Sequence, residues 1–319
     1  MFQHFIVYLF AVSPLVSLTG AEAECPLQLN PQRVVVRYGG SVEVNCNTSV
    51  LHKGMGWEAN EGIVPKIINQ NLITWRVSEL IDWDIKPFCY INTNDSKQCL
   101  IELPVTVYKT PDSVSISTVN HRGPMKGGQQ YELQCDVHDV APVQYLTVKW
   151  YKGQTLLHQT TFSDTDKTPV NKTVTLLIRP DRDDDGAQYW CEAELDLGAE
   201  GPQPPLKNSS KPLNVEVYYK PQHSSSTETI IKYDKVMLDC TVKANPAPVY
   251  TWSSDHLKEK ISSSVIKSSA LSPGKYTCTA TNSLGRDSKV FILKSTGTRH
   301  TFWTVLFFFH LLVTLIGVI

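Results

Sequence analysis

Short runs in which apolar and polar positions alternate dominate the chain, and they read as strands. Val34-Val35-Val36-Arg37-Tyr38 forms one run, Gly39-Gly40 a turn, and Ser41-Val42-Glu43-Val44-Asn45-Cys46 the alternating strand that follows. Leu72–Val77 and Phe88-Cys89-Tyr90-Ile91 are further strands. Leu103-Pro104-Val105-Thr106-Val107-Tyr108 closes this first unit, its proline arguing for an edge or a bulge.

A repeat of cysteine, tryptophan and cysteine organises the rest. Trp57 lies eleven residues after Cys46, where an immunoglobulin-type sandwich places the core tryptophan of its third strand. In the second unit Trp150 follows Cys135 by fifteen residues, and Asp185-Gly186-Ala187-Gln188-Tyr189-Trp190-Cys191 ends the pattern. Tyr189 stands two residues before its cysteine, the place of a tyrosine corner whose hydroxyl bonds to upstream backbone. Cys240, Trp252 and Pro273-Gly274-Lys275-Tyr276-Thr277-Cys278 repeat it once more. The expected fold is all-β, with three tandem immunoglobulin-like sandwiches over 24–108, 109–219 and 220–294. Lys109-Thr110-Pro111 and Tyr218-Tyr219-Lys220-Pro221 are the hinges between them.

The ends change the picture from a globular chain to a cell-surface one. Phe5-Ile6-Val7-Tyr8-Leu9-Phe10-Ala11-Val12, followed by Ala21-Glu22-Ala23, predicts a signal peptide over 1–23, although only His4 stands in for a basic n-region. The mature chain then starts near Glu24, in an oxidising compartment. Residues 302–319 are apolar, and eighteen residues at 1.5 Å each reach about 27 Å as a helix, just enough for a hydrocarbon core. No Lys or Arg follows. That pattern fits either a transmembrane segment without a cytoplasmic tail or a glycosylphosphatidylinositol signal, and the expected location is the outer face of the plasma membrane.

All eight cysteines fall after the signal peptide. Spacing suggests Cys46–Cys89, Cys135–Cys191 and Cys240–Cys278 as domain-spanning bridges, leaving Cys25 and Cys99 to pair with each other. Eight cysteines allow about 105 arrangements, of which this is the simplest. Loop-closure entropy gives each of the three main bridges roughly 4 kcal/mol of stabilisation.

Hydrophobic content of 41% and charged content of 19% describe a globular protein, and a net charge of −1 gives no electrostatic footprint for nucleic acid. The nine histidines show no metal-ligand spacing, no cysteine is left over as a nucleophile, and no glycine-rich phosphate loop follows a strand. Neither an enzyme nor a cofactor nor a small-molecule substrate is expected. Asp181-x-Asp183-x-Asp185-Gly186, with Glu192 six residues on, satisfies the calcium-loop pattern in letters. Its last third is an extended strand that carries Glu192 away from the aspartates, so a solvated acidic turn is expected. Asp82 and Asp84 around Trp83 read as turn residues. Four sequons mark Asn47, Asn94, Asn171 and Asn208 as N-glycosylation acceptors, each expected on a surface loop.

If Trp57 points inward, Glu58 points out, because strand side chains alternate. Asn47 and Asn94 belong to loops at the membrane-distal end, and the third strand runs away from them. An exposed carboxylate there can complete the coordination of a divalent cation held by a partner. On position alone, an ordinary solvated strand residue is the commoner reading.

At these residues the sequence resembles the intercellular adhesion molecule family, immunoglobulin-superfamily ligands of leukocyte integrins. The resemblance covers the ectodomain and is strongest at Pro31-Gln32-Arg33-Val34-Val35-Val36, Gly39-Gly40-Ser41-Val42-Glu43-Val44-Asn45-Cys46, Phe88-Cys89-Tyr90, Leu103-Pro104-Val105-Thr106-Val107-Tyr108 and Glu194-Leu195-Asp196-Leu197. It implies that Gly56-Trp57-Glu58 is the family's Gly-apolar-Glu element, with Glu58 contacting the integrin and Glu61 as the fallback. The magnesium would be the partner's, with no metal of this chain's own. Two departures stand out. Family first domains carry a second cysteine soon after each paired one, but Val50 occupies one such place and the other is displaced to Cys99. Most relatives also have a cytoplasmic segment. The expected function is a membrane-attached adhesion glycoprotein that binds an integrin on another cell through its first domain; the alternative is a non-integrin immunoglobulin-type receptor for a protein ligand.

Overall fold

The computed structural model describes residues 25–94, 97–232 and 235–295, so the expected signal peptide and the apolar segment 302–319 lie outside the described residues. Among the described residues the regular structure is strand, with two 3-10 turns, and no helix is long and apolar enough to cross a membrane.

The first sandwich begins with β1 (Gln28–Asn30), β2 (Val34–Arg37), β3 (Val42–Asn47) and β4 (His52–Glu58). It continues through β5 (Val64–Ile67), β6 (Leu72–Val77), β7 (Phe88–Thr93), β8 (Gln98–Glu102) and β9 (Val105–Tyr108). One sheet has the order β1-β3-β6 and the facing one β5-β4-β7-β8, while β2 pairs in parallel with β9. Pro104 falls between β8 and β9, where no ladder needs its missing N–H. Alternation does the sorting: Val42, Val44 and Cys46 turn inward while Glu43 and Asn47 stay exposed. Trp57 is 1% exposed and stacks on Trp75 at 5.9 Å, beside the Cys46–Cys89 bridge.

The second sandwich runs through β10 (Ser113–Thr118), β11 (Met125–Lys126), β12 (Tyr131–Val140), β13 (Leu146–Lys152) and β14 (Thr155–Thr161). β15 (Val170–Ile178), β16 (Ala187–Leu195), β17 (Leu206–Ser209), β18 (Leu213–Val215) and β19 (Val217–Tyr218) complete it. Its sheets are β10-β12-β15 and β14-β13-β16-β17, with β18 also on β16. The third consists of β20 (Thr227–Lys232), β21 (Val236–Asp239), β22 (Val249–Ser253), β23 (Val265–Ser268), β24 (Gly274–Asn282) and β25 (Gly285–Ser295). There β21-β23 faces β20-β25-β24-β22. Each sandwich encloses its own apolar core.

The four disulfides join Cys25 to Cys99, Cys46 to Cys89, Cys135 to Cys191 and Cys240 to Cys278. Of the two tyrosines that share the corner motif, the one in the third domain forms the corner bond and the one expected to in the second does not. Tyr276 donates from its hydroxyl to the Ser272 carbonyl at 2.8 Å, whereas Tyr189, 3% exposed, makes no such bond among the described residues. In the second sandwich the preceding turn is closed instead by a reciprocal capping box between Asp181 and Asp184, and Lys152 pairs with Asp184 at 2.7 Å.

Two junctions order the domains. Val35 and Tyr108 of the first pack against the core of the second. Lys109 exchanges two backbone hydrogen bonds with Ala141, and its ammonium pairs with Asp112 and Asp139. Lys167 reaches back to Asp84 of the first domain. At the second junction Tyr219 and Asn245 exchange backbone bonds, and Asn282 donates to the Tyr219 carbonyl at 2.9 Å.

Candidate functional site

The sheet β5-β4-β7-β8 turns one face to the core and one to solvent, and its register fixes which side chains share the outer face. Trp57 pairs with Cys89, and Cys89 with Ile101, so this row faces inward. The next row, Glu58, Phe88 and Glu102, faces outward, and so does the row Gly56, Tyr90 and Leu100. Glu58 closes β4, is exposed, and makes no hydrogen bond or ion pair among the described residues. Its carboxylate is free for an external ligand.

Glycines shape the surface beside it. A Cβ on Gly56 would lie 2.6 Å from the Tyr90 hydroxyl and 2.7 Å from the ring carbon bearing it. One on Gly54 would lie 2.5 Å from the side chain of Lys66. Tyr90 and Lys66 therefore fold flat across β4, where any larger residue would lift them. Gly54 also has φ +141, in the region that favours glycine. Burial pushes the Tyr90 hydroxyl pKa up, and the Glu58 carboxylate adds to the shift. Leu100, 51% exposed, continues the surface toward β8. Sequence reasoning passed over Tyr90, Lys66 and Leu100; the signal available was the pair of glycines inside a strand.

Glu61 is committed elsewhere. Its carboxylate accepts from the backbone N–H of Asp82 at 2.8 Å and of Ile81 at 3.3 Å, and its carbonyl accepts from the Trp75 indole at 2.9 Å. Asn60 adds a bond to Asp82 at 3.0 Å. The loop after β4 is thereby clasped to the turn around Trp83, leaving Glu58 as the uncommitted acid of the pair. Asp84 in that turn has its pKa lowered by the hydrogen bond from Lys167.

Asn94 lies at the β7–β8 hairpin, six residues along β7 from Phe88, which at 3.3 Å per residue is about 20 Å from the Glu58 row. Asn47 ends β3 and is exposed. Asn47 thus stands in a strand where a surface loop was expected, and so do the other two sequons. Asn171 lies within β15 and accepts from the Asp139 N–H, and Asn208 lies within β17, half-buried, donating to the Pro111 carbonyl at 3.1 Å. Ser210 is 6% exposed and accepts from the Cys191 N–H at 3.0 Å.

The acidic turn at 181–185 is built from its own backbone contacts. Asp181 caps Asp183, and Asp185 accepts from the Val217 N–H at 2.9 Å. Glu192, 8% exposed on β16, pairs with Lys207 at 3.0 Å. The carboxylates needed for a calcium loop are thus spent apart from one another, and no metal-binding group of three occurs among the described residues.

Comparison with known proteins matches residues 22–113 to the intercellular adhesion molecule N-terminal domain. Residues 114–203 match the immunoglobulin I-set domain and 220–294 the immunoglobulin domain. Intercellular adhesion molecule 1 of Pan troglodytes is 31% identical over 199 residues, 60% of this chain and 35% of that protein. Human intercellular adhesion molecule 3 is 28% identical over 191 residues, 55% of this chain and 30% of that one. The matched part thus spans about a third of the length of these relatives. The ectodomain of mouse nectin-like molecule 4, with three immunoglobulin domains, superposes with a TM-score of 0.52 at 19% identity, covering 84% of this chain and 99% of that chain, a likeness of fold alone. The first domain is thus an intercellular adhesion molecule N-terminal domain, and it stands in front of two immunoglobulin domains.

Proposed function

We propose that this protein is a cell-surface adhesion ligand whose first domain binds an integrin on another cell, with Glu58 completing the coordination of a magnesium ion held by the integrin. The observation that carries the reading is a strand-end carboxylate, exposed and unpaired, beside a rigid core tryptophan. Magnesium demands near-octahedral oxygen ligands at about 2.0–2.1 Å, and it exchanges a bound water for a carboxylate when one is presented in the right direction. The inward anchoring of Trp57 fixes that direction, because β4 cannot rotate about its axis without exposing the indole. Tyr90 and Leu100 supply flat apolar area around the charge, the usual pairing of an anchor with a surround that excludes water.

The experiment is adhesion of integrin-bearing leukocytes to the protein, with and without magnesium, for the wild type and Glu58→Gln. Loss of adhesion on chelation and on substitution, with the thermal melt unchanged, is the expected outcome. Adhesion that survives both overturns the mechanism and favours a cation-independent receptor. Attachment to the plasma membrane through 302–319 belongs to the same proposal, and phosphatidylinositol-specific phospholipase distinguishes its two forms: release from the cell surface means a lipid anchor.

A further inference from the structure

Charge is distributed unevenly along the chain. Residues 24–219 hold 18 Lys and Arg against 24 Asp and Glu, a net charge of −6. Residues 220–294 hold 11 against 6, a net charge of +5. The way the cations are used differs as well. In the second domain six of eleven, Lys109, Lys149, Lys152, Lys167, Lys172 and Lys207, are ion-paired. In the third, Lys289, bound to Glu228 at 2.6 Å, is the one cation paired among the described residues. The surplus is therefore uncompensated at the surface, where a cluster of one sign creates an attractive field for the opposite one.

Part of that surplus lines a concavity. A groove of about 590 Å³ runs along the outer face of β21 and β23, lined by Lys235, Val236, Met237, Lys267, Ser268 and Ser269. The register places Met237 opposite Lys267, and Met237 is 52% exposed. Lys235 and Lys267 are exposed and make no hydrogen bond or ion pair among the described residues. Among the described residues no acid lines the groove. Asp239, on the same strand, feels Lys267 and Lys289, and its carboxylate is held by the Thr241 N–H at 2.9 Å.

From this arrangement we infer that the third domain binds a sulfated polysaccharide in the groove between Lys235 and Lys267. Two ammonium groups take the sulfates as point charges, the serines offer hydroxyls to the sugar, and Met237 offers an apolar surface to the faces of the sugar rings. The volume is that of a small-ligand cleft, enough for a few saccharide units. A phospholipid surface fits less well, because among the described residues of these two strands Met237 is the large apolar side chain that is exposed. The site is separate in sequence and in domain from Glu58, so it stands or falls independently of the first-domain reading.

The test uses the full chain displayed on cells that make no glycosaminoglycan of their own, with fluorescent heparin, desulfated heparin and phosphatidylserine vesicles as probes. Heparin binding that weakens as salt is raised is expected, with none to the desulfated polymer. Lys235→Ser with Lys267→Ser lowers heparin affinity about tenfold, some 1.4 kcal/mol. Lys258→Ser with Lys260→Ser, an equal loss of charge outside the groove, leaves it within about twofold, which is about 0.4 kcal/mol. Surface expression at the wild-type level reports that each variant is folded. Equal losses in the two double variants, or vesicle binding with the same lysine dependence, overturn the assignment.

Discussion

Replacing Gly56 by alanine tests whether the outer face of the first domain depends on the close approach of Tyr90 to β4. The added Cβ would lie 2.6, 2.7 and 2.9 Å from three atoms of the Tyr90 side chain, all inside van der Waals contact. Gly56 is outside the left-handed region, so alanine meets no backbone strain there and the perturbation is steric. Overpacking of this kind costs about 1–3 kcal/mol. Reduced unfolded-chain entropy returns about 0.4–1 kcal/mol, leaving a net destabilisation of about 1.3 kcal/mol at the middle of these ranges. For a domain of this size the first-domain melting transition should fall by roughly 5–10 °C. Calorimetry on Gly56→Ala, Tyr90→Ala and the double variant supplies the cycle. If the clash is with Tyr90, removing the ring relieves it, and the two changes couple by at least about 1 kcal/mol. Additivity to within about 0.3 kcal/mol would refute the reasoning. In the same set, Gly56→Ala should weaken adhesion through Glu58, two residues along on the same face, because the ring next to that carboxylate has moved.

Glu61→Ala leaves two backbone N–H groups without their carboxylate and should destabilise the first domain by about 1–3 kcal/mol, whereas Glu58→Gln should stay within about 0.5 kcal/mol; paired urea titrations separate the two. Ser210→Ala removes the buried acceptor of the Cys191 N–H, so it should cost the second domain about 1–3 kcal/mol, read by its melting transition. The carboxyls of Asp84 and Asp139 are held below their usual range by hydrogen bonds from Lys167 and Lys109. A depressed folded-state pKa adds stability above the unfolded value that is lost as pH falls. The junction between the first two domains should accordingly loosen below about pH 4, seen as separation of their calorimetric transitions and suppressed at neutral pH.

Much of this protein was legible in its sequence because the determinants are local. Period-two alternation names the strands, and a strand with an inward tryptophan has an outward neighbour whatever the rest of the chain does. Three repeats of cysteine, tryptophan and cysteine give three sandwiches, since each bridge needs facing sheets to span. Glu58 was accessible to reasoning on those grounds. What the tertiary structure decided depends on groups distant in sequence. Glu61 and Glu58 are three residues apart and alike in composition, and only the position of the Asp82 turn, some twenty residues on, shows that Glu61 is occupied. Tyr189 and Tyr276 share one motif, yet only Tyr276 forms the corner bond, because Asp181 and Asp184 close the earlier turn differently. The basic groove needed β21 and β23 to be brought together before Lys235 and Lys267 could face one ligand. Periodicity fixes the face a side chain takes, but which distant atom it meets is set by register and packing.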